Sequence, residues 1–269
     1  MCLLIALSGV LADTPLLVAA NRDELYDRPA EVITVLRDSG PRILGGRDTV
    51  AGGTWLAVNS HGVLAGLTNQ PSARARDDTR RSRGELPLAF AAYADAATAV
   101  AKVCAELDPS DYNPCWLLVG DRHALFSVGM TGGRHPVVEQ LPAGTYVLEN
   151  VPLPDNSAKA RQVARMVTAG TTSTASGDAA EHALAAVLRD HRPAAGPQQP
   201  DAGGPGRVRP AELSAACVHT ASYGTRSAMI VSVGATGPPR VRVADGPPCQ
   251  APFRDVTALW AAPAQDATP

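Results

Sequence analysis

The chain has 269 residues, 45% of them hydrophobic, and a formal charge of -2, with a mean hydropathy of -0.04; such a chain is long enough to bury a core and ordinary for a globular protein. The near-neutral balance excludes general electrostatic capture of nucleic acid, and 4% aromatic residues leave little on which to stack bases. No apolar run approaches the roughly 20 residues of a membrane span.

The first apolar run, Met1 to Ala12, has no Lys or Arg before it and no small-residue cleavage site after it, so it does not read as a signal peptide. A lipoprotein signal fails too, because the Cys precedes the apolar run instead of following it. The expected location is cytoplasmic. Within "MCLLIALSG", Cys2 is either a small apolar strand residue or, once Met1 is removed, a new N-terminus carrying both a thiol and a free α-amine. "LADTP" supplies turn chemistry between this run and "LLVAAN". The resulting hairpin brings Asn21-Arg22-Asp23-Glu24 back beside Cys2. If the strand continues, Asn21 and Asp23 point one way, Arg22 and Glu24 the other. An Arg beside the thiol favours thiolate, and a carboxylate can hold the α-amine; the bland alternative is a surface ion pair at a strand end.

A second hairpin has strands around Trp55–Val58 and Val63–Thr68, turning at Asn59-Ser60-His61-Gly62. Gly52-Gly53 before Trp55 suggests a close backbone approach, and Trp55 either lines a substrate pocket or packs the core. The segment "PSARARDDTRRSRG" holds Arg74, Arg76, Arg80, Arg81 and Arg83, a solvated loop or a lid that meets an anionic ligand. From Gly84 to Leu107 the pattern is helical, with Pro87 in a first turn. Four strand-length segments follow ("CWLLVGD", "ALFSVGM", "HPVVEQL", "GTYVLEN"), then helices near 158–169 and 179–191. A Pro/Gly-rich loop near 193–210 comes next. "AACVHTAS", "RSAMIVSVG" and "RVRVADG" read as final strands, and 263–269 as a disordered tail. Arg226 in "YGTRS" can bind a substrate carboxylate or phosphate, or cap the sheet. Strands and helices in alternating blocks, joined by tight turns, predict one layered α+β domain over 1–262 with mostly antiparallel sheets.

The cysteines are Cys2, Cys104, Cys115, Cys217 and Cys249. Their number is odd and no C-x-x-C pair occurs, so neither a disulfide framework nor a metal site is expected, and no cofactor. None of the six histidines lies near a Cys-His signature.

"AANRDELYDRPA", "LGGRDTVAGGTWLAVNSHGVLAGLTN", "SRGEL", "LLVGD", "GTYVLEN" and "YGTRS" occur in one order from residue 19 to residue 227. This resembles the NRDE family, the transport-and-Golgi-organisation proteins named for the Asn-Arg-Asp-Glu tetrapeptide. The resemblance implies an N-terminal nucleophile (Ntn) hydrolase fold, a four-layer αββα sandwich. More distantly it resembles the bile salt and penicillin V acylases, which attack an amide with an N-terminal Cys. On that resemblance Cys2 is the nucleophile and Arg22 its neighbour. The acylase Asp falls three positions after the Arg, where this chain has Leu25, so the role passes to Asp23. Asn69 and Asn150 match the contexts of the two asparagines that place the amine and complete an oxyanion hole; each is otherwise a turn-forming Asn. After the "GTYVLEN" strand relatives carry Ser-Asn, then Leu-Asp and Trp-Pro-Lys, whereas here Glu149 replaces the Ser and the Trp is missing.

The chemistry of Cys2 stands apart from the resemblance. An α-amine of pKa about 7.7–8.0 beside a thiol of about 8.5 can accept its proton without a distant histidine. The expected activity is a cysteine Ntn amidohydrolase or acyltransferase, acting through a Cys2 thioester on a small-molecule amide or thioester, anionic or carrier-linked. The alternatives are a non-catalytic lipid- or haem-binding protein on the same fold, and an interaction scaffold using the arginine loop.

Overall fold

In the computed structural model the chain is described over residues 2–70, 76–153, 157–171, 176–196 and 212–261. Strand β1 (Cys2–Ser8) pairs antiparallel with β2 (Leu16–Leu25). Their turn starts at Gly9, whose φ of 63° is open to glycine and whose N–H donates to the Pro15 carbonyl at 2.8 Å. Then come β3 (Ala30–Arg37), β4 (Ile43–Asp48), β5 (Leu56–Asn59) and β6 (Leu64–Asn69). Helices α1 (Leu86–Phe90) and α2 (Ala96–Glu106) lead to β7 (Cys115–Gly120), β8 (Leu125–Met130), β9 (Val137–Leu141) and β10 (Gly144–Leu148). Helices α3 (Ala158–Gly170) and α4 (Gly177–Leu188) precede β11 (Tyr223–Val233), β12 (Arg240–Ala244) and β13 (Phe253–Asp255).

The strands form two sheets, ordered β10-β1-β2-β11-β12-β13 and β3-β4-β5-β6-β7-β8-β9. Alternation along β1 and β2 explains how the layers stack. Leu4, Ala6, Leu16, Val18 and Ala20 face Trp55, Leu56 and Leu64 of the second sheet, while Leu3, Ile5, Leu7 and Leu17 face Val163, Val167 and Leu184 of α3 and α4. On the far side of the second sheet, Leu117, Val119 and Val128 pack on Phe90, Ala99 and Val103 of α1 and α2. The order is therefore helices, sheet, sheet, helices, an α+β sandwich of four layers. Among the described residues no helix is long and apolar enough to cross a membrane.

Three expectations change. The helix expected over 84–107 breaks after Phe90, and α2 restarts at Asp95, whose side chain caps it by accepting the Thr98 N–H at 2.7 Å. "AACVHTAS" is not a strand: β11 already lies between β2 and β12, and the Cys217 N–H and Ala216 carbonyl bond instead to the Asp190 carbonyl and the Asn21 amide. Strands β3, β4 and β13 were not anticipated. Of the Pro/Gly-rich loop near 193–210, residues 197–211 lie outside the described residues, as do Arg74 and the tail 263–269.

Candidate active site

Two faces of the first hairpin divide the site. Cys2 is the register partner of Arg22, and Leu3 of Asn21. Cys2 packs against the core between the sheets. Arg22, 5% exposed, lays its guanidinium carbon 4.6 Å from the Trp55 ring centroid, a cation–π contact in a largely desolvated setting. Trp55 fits there because residue 46 is glycine; a Cβ at Gly46 would lie 2.1 Å from the indole. Gly53 and Gly84 meet backbone to backbone, a Cβ at Gly53 falling 2.5 Å from the Gly84 carbonyl carbon, and the Thr54 N–H donates to the Gly84 carbonyl at 2.8 Å. This contact fixes Arg83, which donates to the Pro114 carbonyl at 3.2 Å. Burial lowers the Arg83 pKa, opposed by the nearby Cys115, Glu24 and Cys2, so Arg83 sits in the electrostatic neighbourhood of the candidate nucleophile.

The opposite face of β2 turns to the helices. Asn21 Nδ2 donates to the Leu188 and Ala216 carbonyls at 3.0 and 2.8 Å. Asp23 Oδ1 accepts from the Thr225 hydroxyl at 2.6 Å, and its Oδ2 lies 3.7 Å from Lys159 Nζ, both side chains being buried. Burial pushes the Asp23 carboxyl up, opposed by Lys159, the chain's amino terminus and the Thr225 hydroxyl. Glu149, also buried, accepts from the Ser157 hydroxyl; burial raises it, Lys159 opposes, and Asp23 adds to the rise. Lys159 thus lies within electrostatic reach of two buried carboxyl groups, and its lowering pull on each is outweighed by burial. The Cys2 thiol is itself pushed up by burial, against the lowering pull of the amino terminus and Arg22 and with the upward push of Asp23 and Glu24.

Asn69 ends β6 and pairs with Cys115, the residue that also senses Arg83. Asn150 lies two residues past β10. The β1–β10 ladder ends at the pair Leu4 and Leu148, so Asn150 follows in the bend just beyond the strand end. It is 6% exposed, and its Oδ1 has no hydrogen-bond partner among the described residues, a costly state unless something else supplies the donor. Arg226 is the bulged residue between Thr225 and Ser227. Its Nη1 donates to the Leu25 carbonyl at 3.0 Å and to that of Tyr26, so its described bonds brace the end of β2, the sheet-capping alternative. Lys159 and Thr225 were missed by sequence reasoning, and Arg83 was named only within the arginine run read as a solvated loop or a lid. Lys159 occupies the first turn of α3 as a buried residue in "SAKAR", and the Lys of the family pattern was its only signal. Thr225 was overshadowed by its neighbour Arg226, and Arg83 by the run of arginines around it.

Compared with solved structures, the chain matches a penicillin V acylase from Agrobacterium tumefaciens at a TM-score of 0.50, covering 96% of this chain and 98% of that one at 10% identity. Fold and layer order are those of the Ntn hydrolases. The profile of the family described as Transport and Golgi organisation 2 matches residues 1–245. The curated Transport and Golgi organization protein 2 homologs of Bos taurus and Homo sapiens are 34% identical over 237 residues and 30% over 238, in each case covering 82% of this chain and 83% of the relative. The chain belongs to the Transport and Golgi organisation 2 family.

Proposed function

We propose that the protein is a cysteine Ntn amidohydrolase or acyltransferase acting on a small-molecule amide or thioester. After removal of Met1, the α-amine of Cys2 takes the thiol proton and Sγ attacks the acyl carbonyl. The proton passes to the departing amine or thiol as the thioester forms. Water or an amine then attacks the thioester, returning the proton to Sγ. Arg22 favours the thiolate, Asp23 holds the protonated amine, and Asn69 and Asn150 take the amine and the oxyanion. The observation that carries this reading is the placement of Cys2 opposite Arg22, with Asp23 on the other face within electrostatic reach of the chain's amino terminus. A substrate carboxylate or carrier phosphate is the natural anion for the arginines near the site.

The raised Cys2 thiol favours a second reading, a ligand-binding protein that keeps the fold without chemistry. Intact-mass spectrometry before and after brief treatment with a thiol-directed electrophile, with peptide mapping, separates the two. Loss of Met1 with fast, selective labelling of Cys2, and loss of acyl transfer in Cys2→Ala, is expected of the enzyme. Retained Met1, or Cys2 reacting no faster than Cys104, would leave the binding reading in place.

A further inference from the structure

Behind the Asp23 face, four side chains that the proposed chemistry does not use converge from three separate parts of the chain. His191 follows α4, Cys217 and His219 precede β11, and Cys249 follows β12; one potential ligand atom from each lies within 4.8 Å of all the others. The sulfurs of Cys217 and Cys249 are 3.8 Å apart, and His219 Nε2 is 3.7 Å from the first and 3.3 Å from the second. For a tetrahedral zinc bonded to sulfur at about 2.3 Å and to nitrogen at about 2.0–2.1 Å, the S···S edge is about 3.8 Å and each S···N edge about 3.5–3.6 Å. These three edges, among Cys217, Cys249 and His219, agree to within a few tenths of an ångström, and the ligand atom of His191 lies within 4.8 Å of each. His191 Nδ1 faces the Cys217 carbonyl at 3.1 Å. A proton held there leaves the Nε2 lone pair for a metal, the partner arrangement that metal-bound histidines commonly have. The two sulfurs are much too far apart for a bond of about 2.05 Å.

The backbone already holds these ligands in place. The Cys217 N–H donates to the Asp190 carbonyl at 2.8 Å, Asn21 clamps the Leu188 and Ala216 carbonyls, and Val218 and Thr225 exchange two bonds of 2.9 and 2.8 Å. We propose that His191, Cys217, His219 and Cys249 form a structural zinc site joining the end of α4, the segment before β11 and the loop after β12. Four protein ligands of S2N2 type close the coordination sphere, so the ion supports the fold and takes no substrate. Its mechanical reach includes the proposed site: Thr225, anchored to Val218, donates to Asp23. The missing C-x-x-C pair hid the group, since only Cys217 and His219 are near in sequence.

Elemental analysis of the untagged full-length protein, purified in reductant, should give about one zinc per chain. Cobalt substitution should give the intense visible bands of a tetrahedral ion with a thiolate charge-transfer band. Cys249→Ser and His219→Ala should lose stoichiometric metal, while Cys104→Ser, outside the group, keeps it. Because a ligand variant can fail to fold, zinc-edge X-ray absorption of the unmodified protein is the second measurement, with two sulfur and two nitrogen neighbours expected. Substoichiometric zinc after refolding with added zinc, a shell without sulfur, or a mapped Cys217–Cys249 disulfide in protein purified with its thiols blocked would overturn the proposal.

Discussion

While Met1 is attached, Cys2 is held as a thiol, because burial outweighs the pull of Arg22 and the amino terminus. Removal of Met1 moves the amine onto Cys2 itself and gives the thiol an internal base. The rate of Cys2 alkylation in processed protein should therefore reach half its plateau at a lower pH than in a variant whose Met1 is retained; coincident pH–rate profiles would discard the internal base. Asn150 allows a separate test. If its amide serves the oxyanion, Asn150→Ala should lower kcat about a hundred- to a thousand-fold while leaving the affinity for a non-reactive substrate analogue within a few-fold; equal losses in kinetics and in calorimetric binding would remove that role. Glu149 tests the buried charge cluster. Its pKa is raised from 4.5, so the folded protein holds the proton more tightly than the unfolded chain. That contribution is fully present below the unfolded value and is lost as pH rises through the folded one. Glu149→Gln, permanently neutral and still able to accept from Ser157, should match the unmodified protein in acid and exceed its stability at neutral pH. Urea midpoints measured across that window check the sign.

At the level of elements, the Gly53–Gly84 contact couples the strap before β5 to the turn that carries Arg83. A Cβ at Gly53 meets the backbone of Gly84 at 2.5 Å, with no flexible side chain to give way. Gly53→Ala should cost about 1–3 kcal/mol, seen as a lower Tm. It should also slow Cys2 alkylation, through the displaced Arg83, more than an equally destabilising change on α2 such as Asp95→Ala, whose lost cap costs about 0.5–2 kcal/mol. Both motifs, "GGTWL" and "SRGEL", were visible in the sequence; that they touch was not, because the contact is made by main-chain atoms that leave no residue pattern. Elements defined by local rules were readable: the two hairpins from turn chemistry and alternation, α3 and α4 from periodicity. Elements that depend on tertiary partners were not. "AACVHTAS" has the composition of a strand, yet its backbone groups are taken by Asn21, Asp190 and Thr225.

For the molecule as a whole, the placement of Cys2 depends on how the two sheets pack, and Leu4 meets Gly66 across that interface two residues from Cys2. Alternation along β2 is why Asn21 with Asp23, and Arg22 with Glu24, could be read from the sequence as sharing a face, whereas the register that pairs Cys2 with Arg22 came from the structure. The distance between sheets could not be read from the sequence, since it is fixed by residues from distant strands. A Cβ at Gly66 of β6 would lie 3.0 Å from the two methyls of Leu4 and 2.9 Å from Leu56 Cδ1, and Leu4 is two residues from Cys2 and 1% exposed. Gly66→Val should therefore wedge β1 from β6, destabilising by about 1–3 kcal/mol and slowing Cys2 alkylation. Leu4→Ala alone should cost about 2–5 kcal/mol through its cavity. Combined, the valine methyls occupy the space the leucine leaves, so the double variant should be more stable than the sum of the two losses predicts, by about 0.5–3 kcal/mol. Denaturant midpoints of the four proteins give that coupling directly. Strict additivity would mean that the sheets adjust elsewhere and that the Leu4–Gly66 contact does not set the position of Cys2.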